Sequence, residues 1–212
     1  HDDLAGRRVV VTIYHPADEA WRTGFDRRAR QLEVLADPGI ASTLAHDSGA
    51  DDPWLVTSFV EGATAAEIAA DPGLTTDDAL AIIGQAALAL GTAHGAGVGH
   101  GGLSTSRIQV RPDGSVALLD FAIDRSPSPA DDIAALRRIA HELLDGTADA
   151  AGAAVASFVR LLDAGDWDDP ADIGRTALAL AAALRANEAT SLVPPAATPD
   201  PEAETPRRWY DE

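Results

Sequence analysis

The chain has 212 residues, enough for one two-lobed domain with a tail, and 46% of them are hydrophobic, so a buried core can form. Its 34 acidic residues outnumber its 16 basic ones and give a net charge of −18, which argues against nucleic acid and anionic membrane surfaces as partners. Cysteine is absent, which excludes disulfides and thiolate metal sites, and every one of the 16 basic residues is an arginine.

The first sixty residues have the pattern of strands around one helix. Residues 7–16 form a β-branched run closed by His-Pro, which predicts a strand. Residues 17–36 carry apolar side chains at helical spacing and end at Asp-Pro-Gly. Residues 40–62 predict two strands around an Asp/Gly/Pro turn, the second running from Trp54 to Val60.

From Thr64 onward the pattern becomes helical. Thr75, Thr76, Asp77 and Asp78 form a helix N-terminal signal ahead of a long apolar run. The uncharged run continues to residue 106, but its glutamine, histidines and glycines predict a buried helix and a loop rather than a membrane span. Two short strands around a Pro-Asp-Gly turn (112–114) follow, and then helices at 130–146, 148–163 and 170–186.

The last segment has a different composition. From about Asn187 it contains five prolines, several acidic residues and few apolar ones, which predicts a disordered tail. The ordered part of the chain is therefore β-rich first and helical second.

The segment HGGLSTSRIQV (100–110) resembles a protein-kinase catalytic loop, H-R-D-x-K-x-x-x-N, followed by a strand. Other segments are similar to further kinase elements in the same order: VVVTIY (9–14) to strand β3, FDRRARQLEVLADPGI (25–40) to helix αC, WLVTSFVEGATAAEI (54–68) to the hinge, ALLDFAIDR (117–125) to the D-F-G region and DDIAALRRIAHELLDG (131–146) to helix αF. The resemblance to bacterial Ser/Thr protein kinases covers about residues 8–146.

This resemblance implies an α+β, two-lobed protein-kinase-like fold. The N-lobe, residues 1–60, has a reduced sheet and one αC-like helix, and the C-lobe, residues 61–186, is a reduced helical lobe. Residues 187–212 form the flexible tail.

The same resemblance implies that the catalytic residues have been replaced. The β3 lysine corresponds to Thr12, the αC glutamate to Arg28, the catalytic aspartate to Gly102 and the metal-binding asparagine to Arg107. The retained positions are Asp120, of D-F-G, and Asp132, of helix αF. Only residues 123–130 stand where kinases have an activation segment. The expectation is a pseudokinase that is not an enzyme.

Less specific interpretations compete at the remaining polar residues. His100 is expected to be a packed structural histidine, Asp120 to cap nearby backbone N–H groups, and Arg27, Arg28 and Arg30 to form a solvated helix face rather than a phosphate site. No metal or cofactor is expected. An alternative function is a nucleotide or small-ligand sensor, with an adenine ring against the hinge residues Ser58, Phe59 and Val60, behind Thr57.

The tail supplies candidate phosphoacceptors. Thr190, followed by Leu192 and Val193, is the first choice, and Thr198 and Thr205, each followed by proline, are alternatives. Forkhead-associated (FHA) domains read phosphothreonine in extended peptides, so a phosphorylation-dependent scaffold is the leading function. The competing interpretation is an unmodified linker.

The lysine-free, Ala/Asp/Arg-rich composition favours a high-GC actinobacterium, and within that group the chain resembles the kinase-homology domain of mycobacterial MviN (MurJ-like) proteins. That resemblance implies a PknB-type upstream kinase, an FHA-domain partner in peptidoglycan synthesis, and a soluble domain attached to a membrane protein at the cytoplasmic face of the plasma membrane. The segment RRWYDE (207–212) suits a membrane-proximal position.

Overall fold

A computed structural model describes residues 6–16, 18–123, 128–147, 152–165 and 167–191. The N-terminal part contains strand β1 (Val9–Ile13), helix α1 (Glu19–Glu33), and strands β2 (Thr43–Asp47) and β3 (Trp54–Ser58). The three strands form an antiparallel sheet in the order β1-β3-β2. The predicted strands and helix are present, although α1 is shorter than 17–36 and β3 ends before Val60.

The C-terminal part is mainly helical. A second small sheet, in the order β4-β5-β6, comprises β4 (Ala63–Thr64), β5 (Ile108–Val110) and β6 (Val116–Leu118). The helices are α2 (Ala65–Ala69), α3 (Thr76–Gly95), α4 (Pro129–Asp145), α5 (Ala153–Ala164) and α6 (Pro170–Ser191), with a 3₁₀ turn at Thr105–Arg107. Helix α6 continues past the predicted end of the lobe at residue 186.

The aromatic cluster of the N-terminal part fixes α1 against its sheet. Phe25 is fully buried, stacks on Trp21 with ring centroids 5.3 Å apart, and meets Tyr14 edge-on at 5.3 Å. Backbone pairing joins this part to the second sheet, since Ala41 N–H donates to the Leu118 carbonyl at 3.0 Å.

Helix α3 forms the centre of the C-terminal part. Thr75 caps its N-terminus by accepting from the Asp78 N–H, as the sequence predicted. Its buried side chains, Leu80, Ile83 and Leu90 among them, contact α4 and α6. None of the helices in the described ranges has the length and apolar character needed to cross a membrane.

Small residues let α3 and α6 approach closely. A Cβ atom on Gly174 would lie 2.8 Å from the Gly84 carbonyl oxygen and 3.0 Å from the Leu88 backbone nitrogen. Because backbone atoms cannot rotate away, glycine at 174 sets the distance between the two helices.

We expect Gly174→Ala to lower the free energy of unfolding by about 1–3 kcal/mol, because the added methyl group forces the two helices apart. Gly24→Ala is the matched control, because position 24 is also inside a helix but has no atom within 4 Å of the new methyl group. That variant is expected to be more stable by about 0.5–1 kcal/mol, from helix propensity alone. Urea denaturation measures both, and equal effects would contradict the close approach.

Candidate functional site

The backbone of the loop that begins at His100 is held by one buried carboxylate. Asp132, in the first turn of α4, is 1% exposed and accepts from His100 N–H at 2.7 Å and Gly101 N–H at 2.8 Å. The Nε2 atom of His94, at the end of α3, lies 2.9 Å from the same carboxylate. Burial raises the pKa of Asp132, but the hydrogen bonds from His94, Gly101 and His100 outweigh it and the pKa is lowered.

His100 packs inside the molecule. Its side chain is fully buried and stacks on Phe121, with ring centroids 4.5 Å apart, and its carbonyl accepts from Ala122 N–H at 2.7 Å. In the described part of the chain neither ring nitrogen has a hydrogen-bond partner. Desolvation lowers the pKa of His100 to about 4, against the opposing field of Asp132, so the ring is neutral at pH 7.

Arg107 occupies the space next to Gly102. Its Nη1 donates to the Gly102 carbonyl at 2.7 Å, and a Cβ atom built on Gly102 would overlap that same nitrogen. The resemblance equates Gly102 with a catalytic aspartate, so a guanidinium lies where that side chain would begin. A carboxylate at position 102 would form an ion pair with this guanidinium and would not be free to accept a proton as a general base.

Asp120 is exposed at the inner end of the cleft between the two sheets. Its φ of +55° lies in the left-handed region, which aspartate tolerates better than most residues. The predicted capping role is not found, since no hydrogen bond to its carboxylate exists among the described residues. Asp120 borders two cavities, and Thr12 lines the smaller one.

The cleft at the predicted hinge is narrow. One cavity of about 140 Å³ and another of about 20 Å³ lie there. Besides Asp120, the larger is lined by residues of β1, the segment before β2, the hinge, β5 and the loop after β6: Val10, Ala41, Thr57, Ser58, Phe59, Val60, Gln109 and Leu119. Ligand pockets usually measure about 300–1,000 Å³. The guanidinium of Arg8 lies 4.2 Å from the Phe59 ring centroid and forms an ion pair with Glu61, at the same hinge.

The arginines of α1 do not form one surface. Arg28 is buried and donates from Nη2 to the Gly99 carbonyl at 3.3 Å, so it ties α1 to the segment before His100. Arg30 pairs with Asp26 one turn earlier, while Arg27 is exposed. The predicted solvated face therefore holds for Arg27 and Arg30 but is wrong for Arg28.

Arg22 was missed by sequence reasoning. It donates to the carbonyls of Ser48, Ala50 and Asp51 and so closes the turn between β2 and β3. Only its place on the sheet-facing side of an amphipathic helix hinted at this role.

The candidate phosphoacceptors lie late in the sequence, far from α1. Thr190 belongs to the last turn of α6 rather than to the tail, while Thr198 and Thr205 lie outside the described residues.

In the described ranges, no group of three or more His, Asp or Glu side chains is arranged so that it could hold a metal ion.

Comparison with known proteins finds relatives similar in sequence to part of this chain. The chain is 31% identical over 140 residues to the serine/threonine-protein kinase PknA of Mycobacterium tuberculosis, covering 61% of this chain and 32% of PknA. It is 27% identical over 122 residues to PknL of the same species, covering 57% of this chain and 31% of PknL. The chain thus spans about a third of the length of these curated relatives, and no family model matches it.

Solved structures show the same fold. The crystal structure of the M. tuberculosis PknI kinase domain superimposes with a TM-score of 0.66 at 20% identity, over 80% of this chain and 84% of that domain. The chain therefore has a bacterial Ser/Thr protein-kinase-like fold, which confirms the predicted fold class.

We expect the stability of the chain to fall between pH 6.5 and 4 because of His100. Its pKa is about 4 when folded, against about 6.5 unfolded, so the unfolded chain binds more protons in this window. Replacing His100 with leucine should remove a decline of up to about 3 kcal/mol in unfolding free energy. His15→Leu, at an exposed histidine, is the control and should keep the decline. An unchanged decline in His100→Leu would contradict the buried neutral imidazole.

Proposed function

We propose that this chain is a catalytically inactive pseudokinase that, once phosphorylated on Thr190, recruits an FHA-domain protein. The upstream enzyme is a PknB-type Ser/Thr kinase, and the assembly acts in the regulation of peptidoglycan synthesis. The domain works at the cytoplasmic face of the plasma membrane as part of a larger membrane protein, as in the MviN proteins it resembles.

The contact between Arg107 and Gly102 carries the proposal of inactivity. Phosphoryl transfer needs a carboxylate to orient the acceptor hydroxyl and side-chain oxygens to hold Mg²⁺. Here the guanidinium of Arg107 lies next to Gly102, which stands at the position of that carboxylate. Arg107 itself stands at the position of the metal-binding asparagine. A cation at this point repels Mg²⁺ instead of binding it.

The opposite wall of the cleft supports the same conclusion. Thr12, which corresponds to the phosphate-binding lysine, is uncharged, and no lysine exists elsewhere to replace it. Arg28, at the position of its glutamate partner, is turned toward the Gly99 carbonyl and serves packing. A charge clamp for nucleotide phosphates is therefore missing from the positions where kinases have it.

The position of Thr190 supports a role for phosphorylation as a switch. Residue 190 lies in the last turn of α6, where the helix dipole presents its negative end. A phosphate adds close to two negative charges there and destabilises that turn. The freed segment is then extended, which is the form that FHA domains bind.

The relatives support the upstream part of the proposal. PknA and PknL are mycobacterial Ser/Thr kinases, and PknB of Mycobacterium leprae is 27% identical over 131 residues, 59% of this chain and 21% of PknB. The cell-wall role rests on the resemblance to MviN alone.

We expect an FHA domain to bind the full chain only after treatment with a PknB-type kinase, as measured by titration calorimetry. Thr190→Ala should weaken this binding by about tenfold or more, because the phosphate supplies most of the polar contacts. Thr198→Ala is the matched control. Full binding by the Thr190→Ala variant, with loss in the control, would contradict Thr190 as the acceptor.

The sensor alternative predicts a response to nucleotide. Because the cleft cavities are small, and Arg8 beside Phe59 is already paired with Glu61, we expect ATP, with or without Mg²⁺, to raise the melting temperature by less than about 1 °C. Inorganic triphosphate controls for ionic effects. A Mg²⁺-dependent rise that grows with ATP concentration would favour the sensor and contradict a pure scaffold.

A further inference from the structure

A second, larger cavity lies away from the kinase-like cleft. A groove of about 700 Å³ runs between α2, the start of α3, the β5–β6 turn and the end of α6. We call it the acidic groove, because its lining combines apolar residues with three aspartates and a single basic residue, Arg185. The apolar and acidic residues include Ile68, Asp71, Leu74, Asp78, Val110 and Asp113. Its volume falls in the range of ligand pockets.

Two carboxylates in this groove are available to a cation. Asp78 is already paired with Arg185 at 3.0 Å. Asp71 accepts only from the Gly73 N–H, at 2.8 Å, and Asp113 accepts only from Ser115. Both are exposed, and in the described part of the chain neither forms an ion pair. The groove therefore presents two carboxylates that form no ion pair among the described residues, Asp71 and Asp113, beside an apolar floor. Arg111 acts on Asp113 only through its electric field.

We propose that the segment Arg207–Tyr210 of this chain docks in the acidic groove. After Arg185, the only basic residues in the chain are Arg207 and Arg208, and they are followed directly by Trp209 and Tyr210. Two guanidinium groups match two open carboxylates, and two aromatic rings match the apolar floor. No other segment of the tail has either property.

The length of the connection permits this docking. Arg185 lines the groove, and α6 ends at Ser191, about 9 Å further along the helix axis. The reach of residues 192–206 is limited by covalent geometry to about 50 Å. Such a tether gives an effective concentration on the order of millimolar, so even weak contacts keep the groove occupied.

Docking gives the tail a second control point, and this step rests on the proposed function. Thr205 lies two residues before Arg207. A phosphate at Thr205 would pair with the neighbouring arginines and be repelled by Asp71 and Asp113. Phosphorylation by the same kinase would thus release the segment and free the tail for a partner.

The test measures docking without any kinase or FHA domain. A synthetic peptide of residues 205–212 is titrated into the full chain and into its Arg207→Ala/Arg208→Ala/Trp209→Ala variant. We expect the peptide to bind the variant, whose groove is vacant, and to bind the unaltered chain about tenfold more weakly or worse, because its own segment competes.

Groove variants then locate the site. Asp71→Asn/Asp113→Asn in the same background keeps both turn-forming acceptor oxygens but removes the charges, and should weaken the peptide by about tenfold or more. Asp47→Asn is the matched control, since Asp47 accepts from the Gly49 N–H at 2.8 Å in a remote turn. A peptide phosphorylated at Thr205 should also bind more weakly.

The proposal would be overturned by a peptide that binds neither form, by equal binding to both, or by binding that the groove variants leave unchanged. Concentration-dependent dimers in ultracentrifugation would also overturn it, because they would show docking into a second copy. Binding of the full chain to anionic vesicles through Arg207 and Arg208, with no effect of the groove variants, would assign the segment to a membrane instead. Failure of FHA recruitment alone would leave docking intact, so the two proposals fail separately.

Discussion

The buried carboxylate of Asp132 is the constraint on which the loop, and therefore the whole site, depends. A charge taken out of water costs several kcal/mol unless donors surround it, and here the donors come from the end of α3 and from two consecutive backbone N–H groups. Moving any of these elements would leave the carboxylate unsatisfied. The position of the 100–107 segment relative to α3 and α4 is thus set by electrostatics as much as by packing.

The residues that hold the 100–107 loop in place are different from those at the positions that the resemblance assigns to catalysis. Asp132, His94 and His100 hold the backbone, and none of them faces the cleft as a reactive group. Under the proposed function, selection on phosphoryl transfer has been lost while selection on the fold remains. That explains why a kinase-like framework persists around a cavity of about 140 Å³.

Local patterns predicted the elements, and long-range contacts account for what they missed. Thr75 and its following aspartates marked the start of α3 because a cap is a contact within a few residues. The end of α6 was placed too early, since Asn187 and Glu188 weakened the apolar pattern without breaking the helix. The contact of Arg8 with Phe59, and the groove near Arg185, join residues far apart in sequence, so no periodicity signals them. The resemblance to kinases located Gly102 and Arg107 but not their contact.

That contact has an evolutionary consequence. An aspartate introduced at position 102 would meet the guanidinium of Arg107 and form an ion pair instead of a reactive base. Replacing Arg107 first would remove the donor to the Gly102 carbonyl without adding a catalytic group. Under the proposed function, neither single substitution restores phosphoryl transfer. A lineage that carries both residues would then need two changes before selection on catalysis could act on this loop.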